Sequence, residues 1–111
     1  MQHLGPDHID VAHSYEDLGY IYQELKDDKK ALKLFMKCLA IEKQHYKSPH
    51  PYIANSYQRI GIAYHRLQVY SKAIEYHLEA LAWRDEIYES QPHADIASSY
   101  RELAIVHMDQ R

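Results

Sequence analysis

The stretch SYQRIGIAY, residues 56–64, decides the fold of this chain, because the chain repeats it in altered form on both sides. Residues 14–22 read SYEDLGYIY and residues 99–107 read SYRELAIVH. The tyrosine of the first copy precedes that of the second by 42 residues, and the third follows after 43. Recurrence of an aromatic, a branched aliphatic and a small residue at such an interval is typical of repeat proteins. Each unit of a repeat protein buries its apolar face against its neighbours.

Apolar residues around these copies recur at steps of three and four, which is the spacing of one helix face. On the first helix this face comprises Val11, Tyr15, Leu18, Tyr22 and Leu25. The pattern predicts helices at about residues 8–25, 28–46, 50–67, 70–89 and 93–110. Prolines interrupt the chain between the second and third helices and before the fifth. No stretch alternates as a strand would, so we expect an all-α fold of antiparallel helix pairs.

Small residues return in register on the first helix of each pair, at Gly19, Gly61 and Ala104. A glycine inside a helix costs up to about 1 kcal/mol relative to alanine, so a compensating contact is expected. We predict that the partner helix approaches closely there and inserts a large side chain. Phe35 and His77 are the predicted insertions.

These residues resemble the tetratricopeptide-repeat (TPR) signature of aromatic, Leu-Gly, Tyr, Ala and Phe. The first copy is Tyr15-x-x-Leu18-Gly19-x-x-Tyr22 followed by Ala31-x-x-x-Phe35. The second copy begins at Tyr57 and the third at Tyr100. The interval of 42 residues exceeds the usual value of about 34, and it is similar to the longer kinesin light chain type.

The resemblance implies a right-handed α-solenoid of about two and a half TPR units in a single array, residues 1–111. Repeat 1 would span about residues 8–47, repeat 2 about 50–90, and a half repeat or capping helix about 93–111. The turn within each pair usually holds a glycine in the family, whereas this chain has Lys26 and Gln68 there.

Composition narrows the possible partners. The chain has 111 residues, with 13 basic and 16 acidic side chains and a net charge of −3. That balance does not suggest a nucleic-acid partner, and no apolar run reaches the roughly 18 residues of a membrane span. Cys38 is the single cysteine, which favours a reducing compartment. We therefore expect a cytoplasmic protein.

Catalytic and metal-binding motifs are not found. The nine histidines show no Cys-x-x-Cys or His-Glu-x-x-His spacing, and there is no phosphate-binding glycine loop or nucleophile elbow. We expect no enzyme activity, no cofactor and no metal site. Four lysines on the second helix form a basic stripe, which we interpret as a solvated face.

The TPR resemblance implies that the first helix of each pair lines a concave groove, and that the protein is an adaptor that binds a partner peptide or helix there. The predicted groove residues are His13, Glu16, Tyr20, Gln23, Glu24, Asn55, Gln58, Ile62, His65, Arg66, Ser98, Arg101, Ile105, Met108 and Asp109. Tyr20, Ile62 and Ile105 form an apolar row that either floors the groove or packs within the stack. Near Glu16 and Glu24 we expect basic residues of the partner.

The third unit has a first helix but no second helix in this sequence. Two interpretations follow: the chain is part of a longer array, or it self-associates through the helix at residues 93–110. The second interpretation supports an alternative function, in which stacking between chains is itself the purpose.

Overall fold

The computed structural model describes residues 9–47, 49–89 and 91–110. These residues form five helices: α1 Ile9–Glu24, α2 Asp28–His45, α3 Pro51–Arg66, α4 Tyr70–Ile87 and α5 Ala94–Gln110. The described part of the chain contains no strand, and the prediction of an all-α fold is confirmed. Each helix boundary differs from its predicted position by no more than two residues. The expected helix start at residue 8 and repeat bounds at 90 and 111 lie outside the described residues.

The two turns between repeats are built alike, around a histidine that caps the following helix. The Nδ1 atoms of His50 and His93 accept hydrogen bonds of 3.1 and 3.0 Å from the backbone N–H two residues further on. Each imidazole stacks on a tyrosine at the end of the preceding helix, with ring centroids 3.8 Å apart for Tyr46 and 3.7 Å for Tyr88. These contacts end one repeat and begin the next.

The turns within the repeats require a left-handed backbone. Lys26 has φ 65° and Gln68 has φ 64°, each two residues beyond the end of α1 or α3. Glycine adopts this region without steric cost and is the usual residue there. The glycine that the TPR resemblance implies at these two places would therefore suit the left-handed backbone found there.

The predicted close approach of paired helices is confirmed at both glycines. A Cβ atom added to Gly19 would lie 2.6 Å from Cε1 of Phe35, and one added to Gly61 would lie 2.8 Å from Cε1 of His77. Each glycine thus makes room for the aromatic ring that the next helix inserts. Ala104 is exposed, and none of the described helices inserts a ring beside it.

Successive helices pack against each other, and α3 also touches α5. The main core lies between α2, α3 and α4, and it consists of Ala31, Phe35, Leu39, Ile53, Tyr57, Ile60 and Ala80. The array measures 52 × 35 × 19 Å along its principal axes. None of the described helices combines the length and apolar character needed to cross a bilayer.

The apolar face predicted on α1 is not buried along its whole length. Leu18 is 43% exposed, whereas its counterpart Ile60 in α3 is fully buried. Leu25 is also exposed and lies beyond the end of α1. The reason is that α2 covers Ile60, whereas among the described residues no helix covers the corresponding side of α1.

Candidate partner-binding groove

Side chains on one side of α1, α3 and α5 connect these three helices across the array. From α3, Arg59 Nη1 lies 2.8 Å from Glu16 Oε2, and Arg59 Nε donates a hydrogen bond to the Tyr20 hydroxyl. Gln58 Nε2 donates to Ser98 Oγ at 3.1 Å, which links α3 to α5. The first helices of the three units are therefore connected through their side chains on this side of the array.

This face contains two cavities. The larger one, here called the central pocket, has a volume of about 350 Å³. Its lining consists of Tyr20, Gln23, Asn55, Gln58, Arg59, Ile62, Arg84, Asp95 and Ser98. Six of the fifteen predicted groove residues meet here: Tyr20, Gln23, Asn55, Gln58, Ile62 and Ser98.

The second cavity, here called the N-terminal pocket, has a volume of about 300 Å³. Its lining consists of His13, Glu16, Asp17, Glu42, Tyr52, Asn55 and Arg59. Of the predicted groove residues, His13, Glu16 and Asn55 lie in it. Asn55 and Arg59 line both cavities, so the two pockets adjoin along α3.

The other predicted groove residues lie outside both linings: Glu24, His65, Arg66, Arg101, Ile105, Met108 and Asp109. His65 Nε2 lies 2.5 Å from Asp109 Oδ2, so these two connect α3 with α5. Arg66 Nη1 lies 3.8 Å from Asp28 Oδ1, which directs this guanidinium toward α2. Ile105 and Met108 are exposed on α5.

The three residues of the predicted apolar row, Tyr20, Ile62 and Ile105, have different surroundings in the structure. Tyr20 packs its ring edge-on against Phe35, with centroids 5.6 Å apart, and so belongs to the contact within the first pair. It is also exposed and lines the central pocket together with Ile62. Ile105 belongs to neither lining.

Glu42 on α2 is a buried carboxylate at the inner end of the N-terminal pocket, with only 1% of its surface exposed. Its Oε1 accepts a hydrogen bond from Ser56 Oγ at 2.5 Å. Burial raises the pKa of the Glu42 carboxyl, and the bond from Ser56 opposes that rise. Cys38 lies beside them, and burial together with the Glu42 charge raises the pKa of its thiol to about 12.

Arg84 on α4 is a buried guanidinium in the central pocket, 4% exposed. Its Nη1 donates to the Asp95 backbone oxygen at 2.9 Å and to Ser99 Oγ at 2.8 Å. Its Nη2 donates to Asn55 Oδ1 at 2.9 Å. Burial lowers the pKa of Arg84 and the Asp95 charge opposes that change, but an arginine stays protonated in proteins.

Sequence reasoning missed both buried charges. Glu42 and Arg84 lie 42 residues apart, four positions after Cys38 and Ala80 on the apolar faces of α2 and α4. An ionisable residue at the same register position of each repeat, on a face that is otherwise apolar, was the available signal. It could have been read directly from the alignment of the two repeats.

One set of potential metal ligands occurs among the described residues: Glu16, Cys38 and Glu42 bring ligand atoms within 4.8 Å of one another. Glu42 already accepts a hydrogen bond from Ser56, and Cys38 is buried in the core beside it. Glu16 is already paired with Arg59. We therefore assign no metal to this set.

The fold defines the class of molecule: a solenoid of stacked helix pairs. A family model for the tetratricopeptide repeat matches residues 12–45 and 54–86, more than half of the chain. The chain belongs to the tetratricopeptide repeat family, which confirms the prediction made from the repeated residues.

Among solved structures, the fold is similar to the crystal structure of BtubC (BKLC) from P. vanneervenii, with a TM-score of 0.84 and 22% sequence identity. The match covers 93% of this chain and 41% of that protein, so the chain spans about two fifths of its length. A search of curated proteins finds no match.

Proposed function

We propose that this chain is a protein-interaction module that binds a peptide or a helix of a partner protein in the groove along α1, α3 and α5. The observation that carries the proposal is the pair of adjoining cavities on that face, which together hold eight of the fifteen predicted groove residues. TPR domains generally act as protein-interaction modules, and this role needs no catalytic residue. The similarity to kinesin light chain repeats and the single buried cysteine support a cytoplasmic adaptor.

Charge on α1 gives the proposal its orientation. Glu16 and Asp17 face the N-terminal pocket, and Glu24 is exposed at the end of the same helix. We expect basic residues of the partner to lie along α1. Changing Glu16 and Glu24 to lysine should weaken binding of the partner. An unchanged affinity would contradict the expectation that its basic residues lie along α1.

The groove itself is tested by changing Tyr20, Ile62 and Ile105 together to aspartate. We expect the variant to lose partners that the wild-type chain retains in affinity capture. Leu78→Asp is the control, since Leu78 is an exposed apolar residue on α4 that lies outside the predicted groove. If the triple variant and Leu78→Asp both keep the wild-type circular dichroism spectrum and both retain the wild-type partners, the groove proposal is wrong.

A second function, assembly by stacking between chains, is supported by exposed apolar residues at both ends of the array. Leu18 and Ile21 are exposed on α1, and Tyr100 and Met108 are exposed on α5. Two different apolar faces suit head-to-tail contact between copies. Sedimentation velocity should then show association that rises with concentration and decreases in Tyr100→Asp, whereas a monomer at all concentrations contradicts this function.

A further inference from the structure

The central and N-terminal pockets occupy equivalent places in successive repeats. Lining residues of the N-terminal pocket have counterparts 42 or 43 positions later that line the central pocket. The pairs are His13 and Asn55, Glu16 and Gln58, Asp17 and Arg59, Glu42 and Arg84, Tyr52 and Asp95, and Asn55 and Ser98. The two cavities are therefore one structural element with two sets of side chains.

The charge of this element changes sign between the repeats. Among the described residues, three carboxylates, of Glu16, Asp17 and Glu42, and one guanidinium, of Arg59, line the N-terminal pocket. The central pocket is lined by two guanidinium groups, Arg59 and Arg84, and by one carboxylate. In the next repeat, the positions that correspond to Asp17 and Glu42 are occupied by Arg59 and Arg84.

A serine at the same register position of each repeat forms a hydrogen bond with the buried charge of that repeat. Ser56 donates its hydroxyl hydrogen to the Glu42 carboxylate, whereas its counterpart Ser99 accepts a hydrogen bond from Arg84. A hydroxyl group can do either, because it carries one hydrogen and two lone pairs. The surrounding fold thus accommodates a buried charge of either sign at this place.

Among the described residues, neither buried charge has an ion-pair partner in direct contact. Within residues 9–47, 49–89 and 91–110, no ion pair at 4.0 Å or less involves Glu42 or Arg84. The Nε atom of Arg84 is buried and has no hydrogen-bond acceptor in the described structure. Buried charges are normally paired, because the loss of hydration costs several kcal/mol that neutral partners do not fully restore.

We propose, building on the groove function above, that the two pockets bind opposite charges of one partner. The N-terminal pocket takes a lysine or arginine side chain, and the central pocket takes an aspartate or glutamate side chain. The partner is accordingly a segment that carries a basic and an acidic residue at a distance set by one repeat. A partner side chain with the same charge sign as the pocket is disfavoured in each case. The partner segment therefore binds in one direction along the groove.

The pockets can be tested separately with small ions. Sodium acetate represents the acidic side chain and n-butylammonium chloride the basic one, each added to the ¹⁵N-labelled 111-residue chain against sodium chloride of equal ionic strength. Acetate should shift the Arg84 Nε–H signal and the Ser98 amide in a saturable way. Butylammonium should shift the His13 and Tyr52 amides. Equal responses of both pockets to both ions, or responses no different from those to sodium chloride, overturn the proposal.

Variants assign these responses to the buried charges. Arg84→Gln should weaken acetate binding by about tenfold or more and leave the butylammonium response, and Glu42→Gln should do the reverse. If either buried substitution prevents folding, two milder changes take its place. Gln58→Glu should weaken acetate binding and Asp17→Asn should weaken butylammonium binding, and an unchanged response in either contradicts the assignment.

Linked charges test the two pockets together. Capped alanine peptides that carry one lysine and one glutamate at varied separations are compared with peptides that carry two lysines or two glutamates. At the right separation and order, the mixed peptide should bind about tenfold more tightly or better, since the second contact becomes intramolecular. Equal affinity for all three kinds of peptide overturns the inference.

These results separate the inference from the proposed function. If the ions select their pockets but partner capture is insensitive to groove substitutions, the inference stands and the proposed function fails. If capture depends on the groove but the ions show no selection, the inference fails.

Discussion

Gly61→Ala measures how closely α3 and α4 approach. The added Cβ would lie 2.8 Å from Cε1 and 2.9 Å from both ring nitrogens of His77, whereas ordinary contacts begin near 3.4 Å. His77 is fully buried, so its ring cannot withdraw by turning into solvent. Overpacking of this kind costs about 1–3 kcal/mol, and the better helix propensity of alanine returns up to about 1 kcal/mol. We expect a net loss of up to about 3 kcal/mol.

A double-mutant cycle with His77→Ala isolates this contact from helix propensity. Once the ring is absent, Gly61→Ala should stabilise the protein by up to about 1 kcal/mol. The coupling free energy between the two sites should therefore be about 1–3 kcal/mol, where 1 kcal/mol corresponds to a change of about 4–8 °C in Tm. Urea unfolding followed by circular dichroism gives the four free energies. A coupling near zero would refute close approach as the reason for the recurring glycine.

Three further predictions follow from single residues. Lys26→Gly and Gln68→Gly should each raise the free energy of unfolding by up to about 1 kcal/mol in thermal denaturation, because both positions have positive φ; a loss of stability would contradict this. Burial lowers the pKa of His77 to about 4, so the unfolded chain, with its ordinary value near 6.5, binds a proton first. The free energy of unfolding should therefore decrease as the pH falls from 6.5 toward 4. His77→Phe should make this decrease smaller in unfolding curves. The same pH dependence in both proteins would contradict its assignment to His77. Cys38, with a thiol pKa of about 12, should react with iodoacetamide at pH 8 on the order of a thousandfold more slowly in the folded chain than in urea; similar rates would show that the thiol is not buried.

The sequence carried most of the fold, because the determinants of a helix pair are local. Recurring aromatic and small residues predicted the helices and the insertion of Phe35 beside Gly19 and His77 beside Gly61, and the structure confirms these contacts. The exposure of Leu18 was not predictable from its helix alone. It depends on which helix lies next to α1, and periodicity does not report that.

Part of the lining of the two pockets was predicted from the sequence. Helical geometry placed Tyr20, Gln58 and Ile62 on one face, and they meet in the central pocket. The buried floor comes from α2 and α4, where Glu42 and Arg84 interrupt an apolar face. Their burial follows from the way the next helix covers them, and that is a property of packing between repeats.

The central claim is that this chain binds its partner along α1, α3 and α5. Amide hydrogen exchange with and without a partner retained by the wild-type chain tests it most directly. We predict slower exchange at the amides of the two pockets, including Asn55 and Ser98, and unchanged exchange along the outer faces of α2 and α4. Slower exchange confined to α2 and α4, with the pocket amides unaffected, would contradict the claim.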